Sequence, residues 1–476
     1  MSTRDEFFWL TEINKATLVI NEEQGLLPTA IAKKAAQAVA TQESKGAEDA
    51  GCRPKTYITY EPKLIGLAGP EITLMHAGRS SQDIHATYRA AIVRDGLFEI
   101  NSSLLKVLKT LTGLAQKHQT TVVPNYTNGV AAQPTSYSHY LLGFISAFGR
   151  DATRIQEYYK RLNQCPMGST VLNGTPWPLN RDKMAAYLGF DGIAYNAFDA
   201  TQILQSDIPV ELAALVQSMA IHVTSFLEDL MVQYAQPRPW ILLQEGGENT
   251  YVSSAMPQKR NPGLVNNCRT EASQAIGEAQ AVLFRAHNLQ TGMIDPKRQD
   301  LNKALATRCS SMLNMFDRVL RALVINPARA LEELNNDWTA SQEVADTLMH
   351  EYDIPFRVGH HVASAMVSYA RARDIKPLDF PYPQMQQIFK EVIEKEFPEG
   401  NPVLPMSEEQ FRLCLNPHSI VENRKTKGSP NSQEMKIMLD MAESGNQQVE
   451  EWLARRQLDV TESLARLDKE FLQKFF

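Results

Sequence analysis

The stretch NTYVSSAMPQKRNPG, residues 249–263, places two adjacent serines, a lysine and an asparagine directly before a long helical pattern. From Leu264 to Ala286, apolar residues recur every three or four positions, which predicts one face of a helix of more than twenty residues. Asn261 is the predicted N-cap of this helix and Pro262 its first residue. The stretch is therefore either a solvated loop or a mobile lid that carries a serine and a cation.

Helical patterns dominate the rest of the chain. They run through residues 100–118, 135–163, 208–235 and 300–325, whereas the alternation typical of strands between tight turns is nearly absent. We therefore expect an all-α fold with a long central helical bundle. Helices of this length span about 30 Å or more, and their apolar faces are too large for a small bundle to bury, so we expect the chain to form an oligomer.

Changes in composition divide the chain of 476 residues into three predicted domains. Residues 1–98 form an N-terminal helical domain with a first polar loop. Residues 99–335 form the central long-helix domain, which carries a second polar loop and the stretch quoted above. Residues 336–476 form a C-terminal helical domain.

The composition excludes several classes of partner. A formal net charge of −6 with 21% charged residues gives no electrostatic reason to bind nucleic acid or an anionic membrane. The longest apolar windows fall short of 18 residues, and the N-terminus lacks a basic region followed by an apolar run, so no membrane span and no leader are expected. Five widely separated cysteines without metal-ligand spacing predict a reduced, cytoplasmic protein without a zinc site.

Three polar loops each precede a long helical pattern. They are residues 74–91 with Ser80, Ser81 and Gln82, residues 122–142 with Thr127, Asn128 and Gln133, and residues 249–263 with Ser253, Ser254 and Lys259. Loops of this kind at the ends of a bundle predict a polar cleft. Lys259 would favour an alkoxide at Ser253 or bind an anionic substrate.

The same loops carry a resemblance to a known family. SSAMPQKRNP (253–262) is similar to the signature GSSxMPxKxNP of the fumarase/aspartase superfamily, with Val252 in place of the glycine. MHAGRSSQDIHATYR (75–89), PNYTNGVAAQPTSYSHYLLG (124–143) and ASQEVADTLMHEYDIPFRVGHHV (340–362) resemble, in the same order, three motifs of argininosuccinate lyase. The chain is identified as a divergent member of the argininosuccinate lyase-like branch.

The resemblance implies an all-α homotetramer whose central helices join in one bundle, with each active site assembled from loops of three subunits. It implies a carbon–nitrogen lyase that acts on a small dicarboxylate or amino-acid substrate. The reaction is an anti β-elimination: a base removes a proton from the carbon beside a carboxylate, and an amine leaves to give fumarate. No metal and no organic cofactor are required.

The resemblance also assigns roles to residues. Ser253 falls on the catalytic base, Lys259 and Asn261 on the groups that hold its charge and a substrate carboxylate, and Ser80 and Thr127 on hydrogen-bond donors to carboxylate. Gln133 matches the glutamine of the A-Q-P motif, for which a structural role is the alternative to substrate binding. The predicted catalytic residues are Ser253, Lys259 and Asn128, and the predicted substrate-binding residues are Ser80, Ser81, Gln82, Thr127, Gln133, Ser254, Asn261 and Asn266.

Departures from the family pattern argue against argininosuccinate as the substrate. Asn128 replaces a histidine and Asn266 replaces the glutamate that hydrogen-bonds to it, so this pair cannot titrate. Ser81 and Gln82 replace an arginine and an asparagine, which removes a bidentate clamp on a carboxylate. The segment 287–297 only loosely matches the family's argininosuccinate-reading segment. His76 could replace the missing proton donor.

Three hypotheses remain open from the sequence. The first is a lyase that cleaves an N-substituted aspartate other than argininosuccinate, or runs the reverse addition. The second is a cycloisomerase of a muconate-type acid, since a branch of the superfamily uses the scaffold in this way. The third is a catalytically silent homologue with a structural or binding role.

Overall fold

The computed structural model describes residues 4–476 as a mostly helical chain, which confirms the all-α fold class. Helices account for most of each predicted domain. They are α1 (Glu6–Glu23), α2 (Thr29–Glu48), α3 (Tyr57–Ala68), α4 (Ser81–Lys117), α5 (Tyr137–Leu162), α6 (Arg181–Tyr187), α7 (Leu204–Tyr234), α8 (Gly263–Ala286), α9 (Gln299–Arg321), α10 (Pro327–Asn336), α11 (Ser341–Tyr352), α12 (Phe356–Arg371), α13 (Tyr382–Glu396), α14 (Glu408–Leu415), α15 (Pro417–Glu422) and α16 (Ser432–Phe475).

Short strands join the helices and form two-stranded sheets in the described chain. The strands are β1 (Val122–Thr127), β2 (Val130–Ser136), β3 (Gln164–Cys165), β4 (Gly192–Ile193), β5 (Ile241–Leu243), β6 (Tyr251–Val252), β7 (Arg260–Asn261) and β8 (Leu323–Ile325). The pairs β1–β2, β5–β8 and β6–β7 are antiparallel, and β3–β4 is parallel. The longest pair, β1–β2, replaces the irregular loop that the sequence suggested.

Five long helices, α4, α5, α7, α8 and α9, pack into one bundle. Their apolar faces supply the main core, and α8 shows the predicted periodicity directly, since Leu264, Cys268, Ala272, Ala275, Ala279 and Val282 are all buried. Burial of such faces is the dominant favourable contribution to folding. The helices therefore form because each has an apolar stripe that only its neighbours can cover.

Contacts along the bundle fix the direction of each helix. In α5 and α7, Tyr140 bonds to Asp229 near one end and Tyr158 bonds to the carbonyl of Ile208 near the other, so these two helices are antiparallel. The ring contacts of α4 with α5 show antiparallel packing as well, as do the Arg308–Glu278 ion pair and the Arg285–Asn302 hydrogen bond between α9 and α8. We call the end where α4, α7 and α9 begin the Ser80 end, and the opposite end, where β1 and β2 lie, the hairpin end.

A second, smaller core lies in the C-terminal part of the chain. Residues 338–420 build it from α11 to α15 and the turns between them. The final helix, α16, does not join this core: Leu439, Leu453, Leu467 and Phe471 pack into the main core beside α1, α4 and α5. The predicted C-terminal domain 336–476 thus contributes to two cores, and its boundary at 335–336 stays a prediction.

A buried ion cluster links the first, second and last helices. The Lys15 Nζ lies 3.0 Å from Glu12, 2.8 Å from Glu43 and 2.9 Å from Asp468. Burial raises the pKa of Glu12 to about 7, against the opposing effect of Lys15. Burial lowers the pKa of Lys15, but Glu12 and Glu43 raise it by more, so the lysine stays charged. The cluster holds the two termini of the described chain together.

One helical segment of the described chain, Asp199–Tyr234, is long and apolar enough to cross a membrane by length and composition alone. Its most apolar window has a mean hydropathy of 1.5, and half of that window is buried inside the protein. Val216, Val223 and Leu227 within it belong to the main core. The same signal is given by a core helix, and the expectation of no membrane span stays a prediction.

The substitution Lys15→Met is expected to lower the free energy of unfolding by about 3 kcal/mol, because it leaves buried Glu12 without its cation. Thermal and urea unfolding would measure the loss. The matched control is Lys34→Met, which removes an exposed pair with Glu71 and should cost less than about 1 kcal/mol. Equal effects of the two substitutions would contradict a stabilising role of the buried cluster.

Candidate active site

The signature stretch forms an exposed hairpin just before α8. Tyr251 pairs with Asn261 and Val252 pairs with Arg260, and the amide of Ser253 donates to the Lys259 carbonyl at 3.2 Å. Residues 254–259 lie exposed at the tip. Two residue pairs and a few further hydrogen bonds close this short hairpin, so the tip is held weakly compared with the helices around it.

The Ser253 hydroxyl lies in a favourable place for a negative charge. Its oxygen accepts long hydrogen bonds from the backbone N–H groups of Ala255, at 3.4 Å, and Met256, at 3.3 Å. Donors that point at an oxygen stabilise its ionised form. Lys259 is exposed, and it forms no ion pair within residues 4–476. The loop therefore has the parts that a serine base needs: backbone donors and an available cation.

Asn261 does not cap α8, which corrects the sequence-based prediction. It lies in β7 and its side-chain amide donates to the Tyr251 carbonyl at 3.4 Å, while α8 begins at Gly263 with Pro262 in the cap position. Pairing with β6 fixes the backbone of Asn261 as a strand and overrides the local capping preference. Asn266 follows in the first turn of α8 and is half-buried, and Ser254 is exposed at the hairpin tip.

The second polar loop is a tight β-hairpin. Thr127 and Val130 pair at its tip, and Asn128 and Gly129 between them have φ values of 53° and 75°. Positive φ at both central residues defines a type I′ turn, for which Asn-Gly is the preferred sequence. Thr127 and Asn128 are exposed. The turn gives a structural reason for an asparagine at position 128, apart from any role in chemistry.

Polar side chains anchor this hairpin to its surroundings. Gln133 donates to Gln342 in α11, so it ties β2 to the C-terminal core. The Tyr126 hydroxyl donates to Glu333 at 2.7 Å and accepts from Gln233 and Trp240, both at 2.9 Å. This network could not be predicted from the sequence. Its members are far apart in the chain, and only the Asn-Gly dipeptide indicated a hairpin locally.

The first polar loop is locked by a buried carboxylate. Ser80 caps α4 in a capping box with Asp83. Asp83 also accepts hydrogen bonds from the backbone N–H groups of Gly168 and Thr170, each at 3.0 Å. Ser81 and Gln82 are half-buried in the first turn of the helix, where N–H groups and the helix dipole favour an anion. The geometry suits a substrate carboxylate at this helix start.

His76 lies beside the first loop. Its Nδ1 is 3.1 Å from the Tyr57 hydroxyl, and burial together with Arg79 lowers its pKa. The ring is therefore neutral at neutral pH. This weakens the sequence-based idea that His76 serves as a charged proton donor, although a neutral imidazole still has one N–H to donate.

The three loops do not meet within one chain. Ser80 lies at the start of α4, and the Thr127 hairpin follows the end of the same helix, which has 37 residues and spans about 55 Å. Ser253 lies at the hairpin end too, since it follows α7 and precedes α8. The structure thus brings the second and third loops to one end of the bundle and places the first loop at the other.

Comparison with known proteins places this architecture in a family. The "Lyase" family model matches residues 63–277 and the "Argininosuccinate lyase C-terminal" model matches residues 338–422. Together they cover well over half of the chain and include all three polar loops.

Relatives and solved structures agree with the family models. Argininosuccinate lyase of Methanosarcina acetivorans is 27% identical over 92% of this chain and 86% of its own length. Argininosuccinate lyase of Alteromonas mediterranea is 29% identical over 82% of this chain and 84% of its own length. The structure of an "EDDS lyase" variant with bound fumarate superposes with a TM-score of 0.86 at 23% identity, covering 98% of this chain and 92% of that one, which shows a common fold.

The chain belongs to the fumarase/aspartase superfamily and is a divergent carbon–nitrogen lyase of its argininosuccinate lyase-like branch. The family predicted from the motifs is thereby confirmed. The roles assigned to individual site residues stay predictions.

The turn at Asn128 can be tested separately from chemistry. Asn128→Gly should leave the stability unchanged, because glycine adopts positive φ freely. Asn128→Val should lower the free energy of unfolding by about 1–2 kcal/mol, because a β-branched residue is strained at this φ. Amide hydrogen exchange over residues 122–136 and thermal unfolding would measure both effects. A loss of turnover in Asn128→Gly with normal exchange would assign the Asn128 amide a chemical role.

Proposed function

We propose that the protein releases fumarate from an N-substituted aspartate by anti β-elimination, or runs the reverse addition. The observation that carries the proposal is the Ser253 hydroxyl, which accepts hydrogen bonds from two backbone N–H groups on an exposed hairpin that also carries Lys259, a cation without an ion pair within residues 4–476. A serine in this setting can lose its proton at a lower cost than a serine in water.

The proposed reaction requires one base and several fixed donors. The Ser253 alkoxide takes the proton from the carbon beside a substrate carboxylate, and the electron pair of that C–H bond is delocalised into the carboxylate. The electron pair held in the carboxylate then forms the carbon–carbon double bond of fumarate and the C–N bond breaks. The ammonium nitrogen of the substrate keeps the electron pair of that bond as its lone pair, and a neutral amine leaves. Removal of the proton leaves a dianion on the substrate. Hydrogen-bond donors that are already in place around this dianion stabilise it most. Thr127, Lys259 and the first turn of α4 are the proposed donors.

The proposed substrate is not argininosuccinate. Asn128 and Asn266 stand where the family has a histidine and a glutamate, and neither amide titrates. The guanidinium clamp of the family is absent at Ser81 and Gln82. The amine must therefore leave without a proton from an imidazolium at position 128. It must also be bound by groups other than those with which the family binds argininosuccinate.

The proposed enzyme is a homotetramer with shared sites. Ser80 and Ser253 lie at opposite ends of one chain, so a site that uses both needs the Ser80 end of one subunit at the hairpin end of another. Exposed apolar side chains on the bundle helices support association, since Ile221 of α7 is 55% and Phe284 of α8 is 76% exposed. A cytoplasmic location is part of the same proposal and agrees with five free cysteines.

Ser253→Ala is expected to reduce fumarate release by about 10³-fold, because the base is lost. Ultraviolet absorbance of fumarate would be followed with a panel of N-substituted aspartates and with argininosuccinate. The matched control is Ser273→Ala, which removes an exposed hydroxyl of α8 that bonds only to the Arg269 carbonyl. Full activity of Ser253→Ala, or fast turnover of argininosuccinate by the unaltered protein, would refute the corresponding part of the proposal.

Mixing two inactive variants tests the shared site. Ser80→Ala and Ser253→Ala each remove one residue of the proposed site, and random reassembly of the two chains should restore about a quarter of the sites if those residues come from different subunits. Fumarate release after mixing, mild dissociation and reassociation measures the recovery. A site built within a single chain would show no recovery above the sum of the two variants.

A further inference from the structure

An aromatic cavity lies beneath the hairpin that carries Thr127. It is enclosed by β1, the start of α5, the end of α7 and β5, and has a volume of about 140 Å³. An engineered protein cavity of about this size holds a benzene molecule. The cavity therefore has room for a small organic ligand. The Asn128–Gly129 turn forms part of its wall.

Aromatic rings supply part of the cavity wall. The rings of Tyr137 and Tyr140 are stacked, with centroids 5.7 Å apart and an interplanar angle of 13°. The Trp240 ring meets Tyr137 edge-on at 5.6 Å, and Phe226 lies 5.9 Å from Tyr140. Ring faces carry partial negative charge and attract cations. The wall thus favours a cationic ligand over an anionic one.

One exposed carboxylate lies beside these rings. Asp229 lines the cavity and accepts a hydrogen bond from the Tyr140 hydroxyl at 2.8 Å. Within residues 4–476, Asp229 has no lysine, arginine or histidine within ion-pair distance. Burial raises the pKa of Asp229, the Tyr140 bond lowers it, and neighbouring Glu228 raises it. A bound cation would stabilise the ionised form of a carboxylate that has no counter-ion.

The remaining polar groups of the cavity do not change its preference for a cation. The Tyr126 hydroxyl is engaged with Glu333, Gln233 and Trp240, and so has no bond left for a ligand. Tyr137 is 1% exposed, and its hydroxyl has no partner in the described part of the chain. A buried hydroxyl without a partner costs free energy that a ligand could recover. No basic side chain lies among the residues that line the cavity.

We propose that the cavity between Tyr137, Tyr140, Phe226 and Trp240 binds a small alkylammonium cation, whose charge is paired with Asp229. The alkyl part lies against the rings and the ammonium group faces the carboxylate. This site does not depend on the proposed reaction. It makes the hairpin end of the bundle selective for positively charged organic molecules.

Isothermal titration calorimetry of the full chain with three ligands of equal length tests the charge preference. The ligands are n-butylammonium, 1-butanol and butyrate. The cation should bind at least about tenfold more tightly than the neutral alcohol, because a charge-assisted bond and the ring faces act on it alone. Butyrate should show no binding. Equal affinity for the cation and the alcohol, or no binding of the cation, would overturn the proposal.

Two variants locate the binding site. Asp229→Asn should weaken butylammonium binding by about tenfold or more, whereas Glu228→Gln, which removes the same charge from the adjacent exposed residue, should change it by less than about twofold. Thermal unfolding of both variants shows whether each is folded. If a folded Asp229→Asn variant binds butylammonium as the unaltered chain does, the cation lies elsewhere and the assignment is wrong.

Discussion

The architecture depends on the burial of long apolar helix faces against one another. Five helices of 23 to 37 residues can cover these faces only by lying side by side over their whole length. Every connecting segment of the bundle is therefore placed at one of two ends, separated by tens of ångströms. The polar loops with candidate chemistry therefore lie at the ends of the bundle.

The two ends fix their loops by different means. At the Ser80 end, Asp83 holds the loop through backbone N–H groups of residues before and after it in the chain, so the loop is fixed by a buried charge. At the hairpin end, Tyr126 anchors one hairpin from below, while the Ser253 hairpin is closed by short strand pairing. The proposed carboxylate site is thus firmly held and the proposed base loosely held, and a base on a lid would have to move between open and closed positions.

The sequence predicted the helices well because their periodicity reports which residues face the core. The helix from Leu264 to Ala286 agrees with α8 to within one residue at its start, and the polar loops lie where the motifs placed them. Periodicity does not report which partner covers a face. For that reason α16, with Leu453 and Leu467 in the main core, could not be separated from residues 338–420 by sequence alone.

Other features were hidden because they join distant residues. The Lys15 cluster combines residues from α1, α2 and α16, and the contacts of Tyr126 involve positions more than 100 residues away. The prediction for Asn261 was wrong because a long-range contact outweighed a local preference. Asparagine often caps helices, but strand pairing with Tyr251 places Asn261 in β7. The β1–β2 hairpin could have been found from Asn128–Gly129, which is a strong short-range turn signal.

The exposed hairpin tips also affect which substitutions the chain can accumulate in evolution. Thr127 and residues 254–259 are exposed and lie outside both cores, so most substitutions there have little effect on folding, whereas Asn128 is restricted by the positive φ of its turn. The Asp83 loop has no such freedom, since its buried carboxylate must keep four backbone donors. Substitutions can thus accumulate at the hairpin tips, whereas Asp83 is held constant by the demands of stability even though its neighbours Ser81 and Gln82 differ from the family pattern.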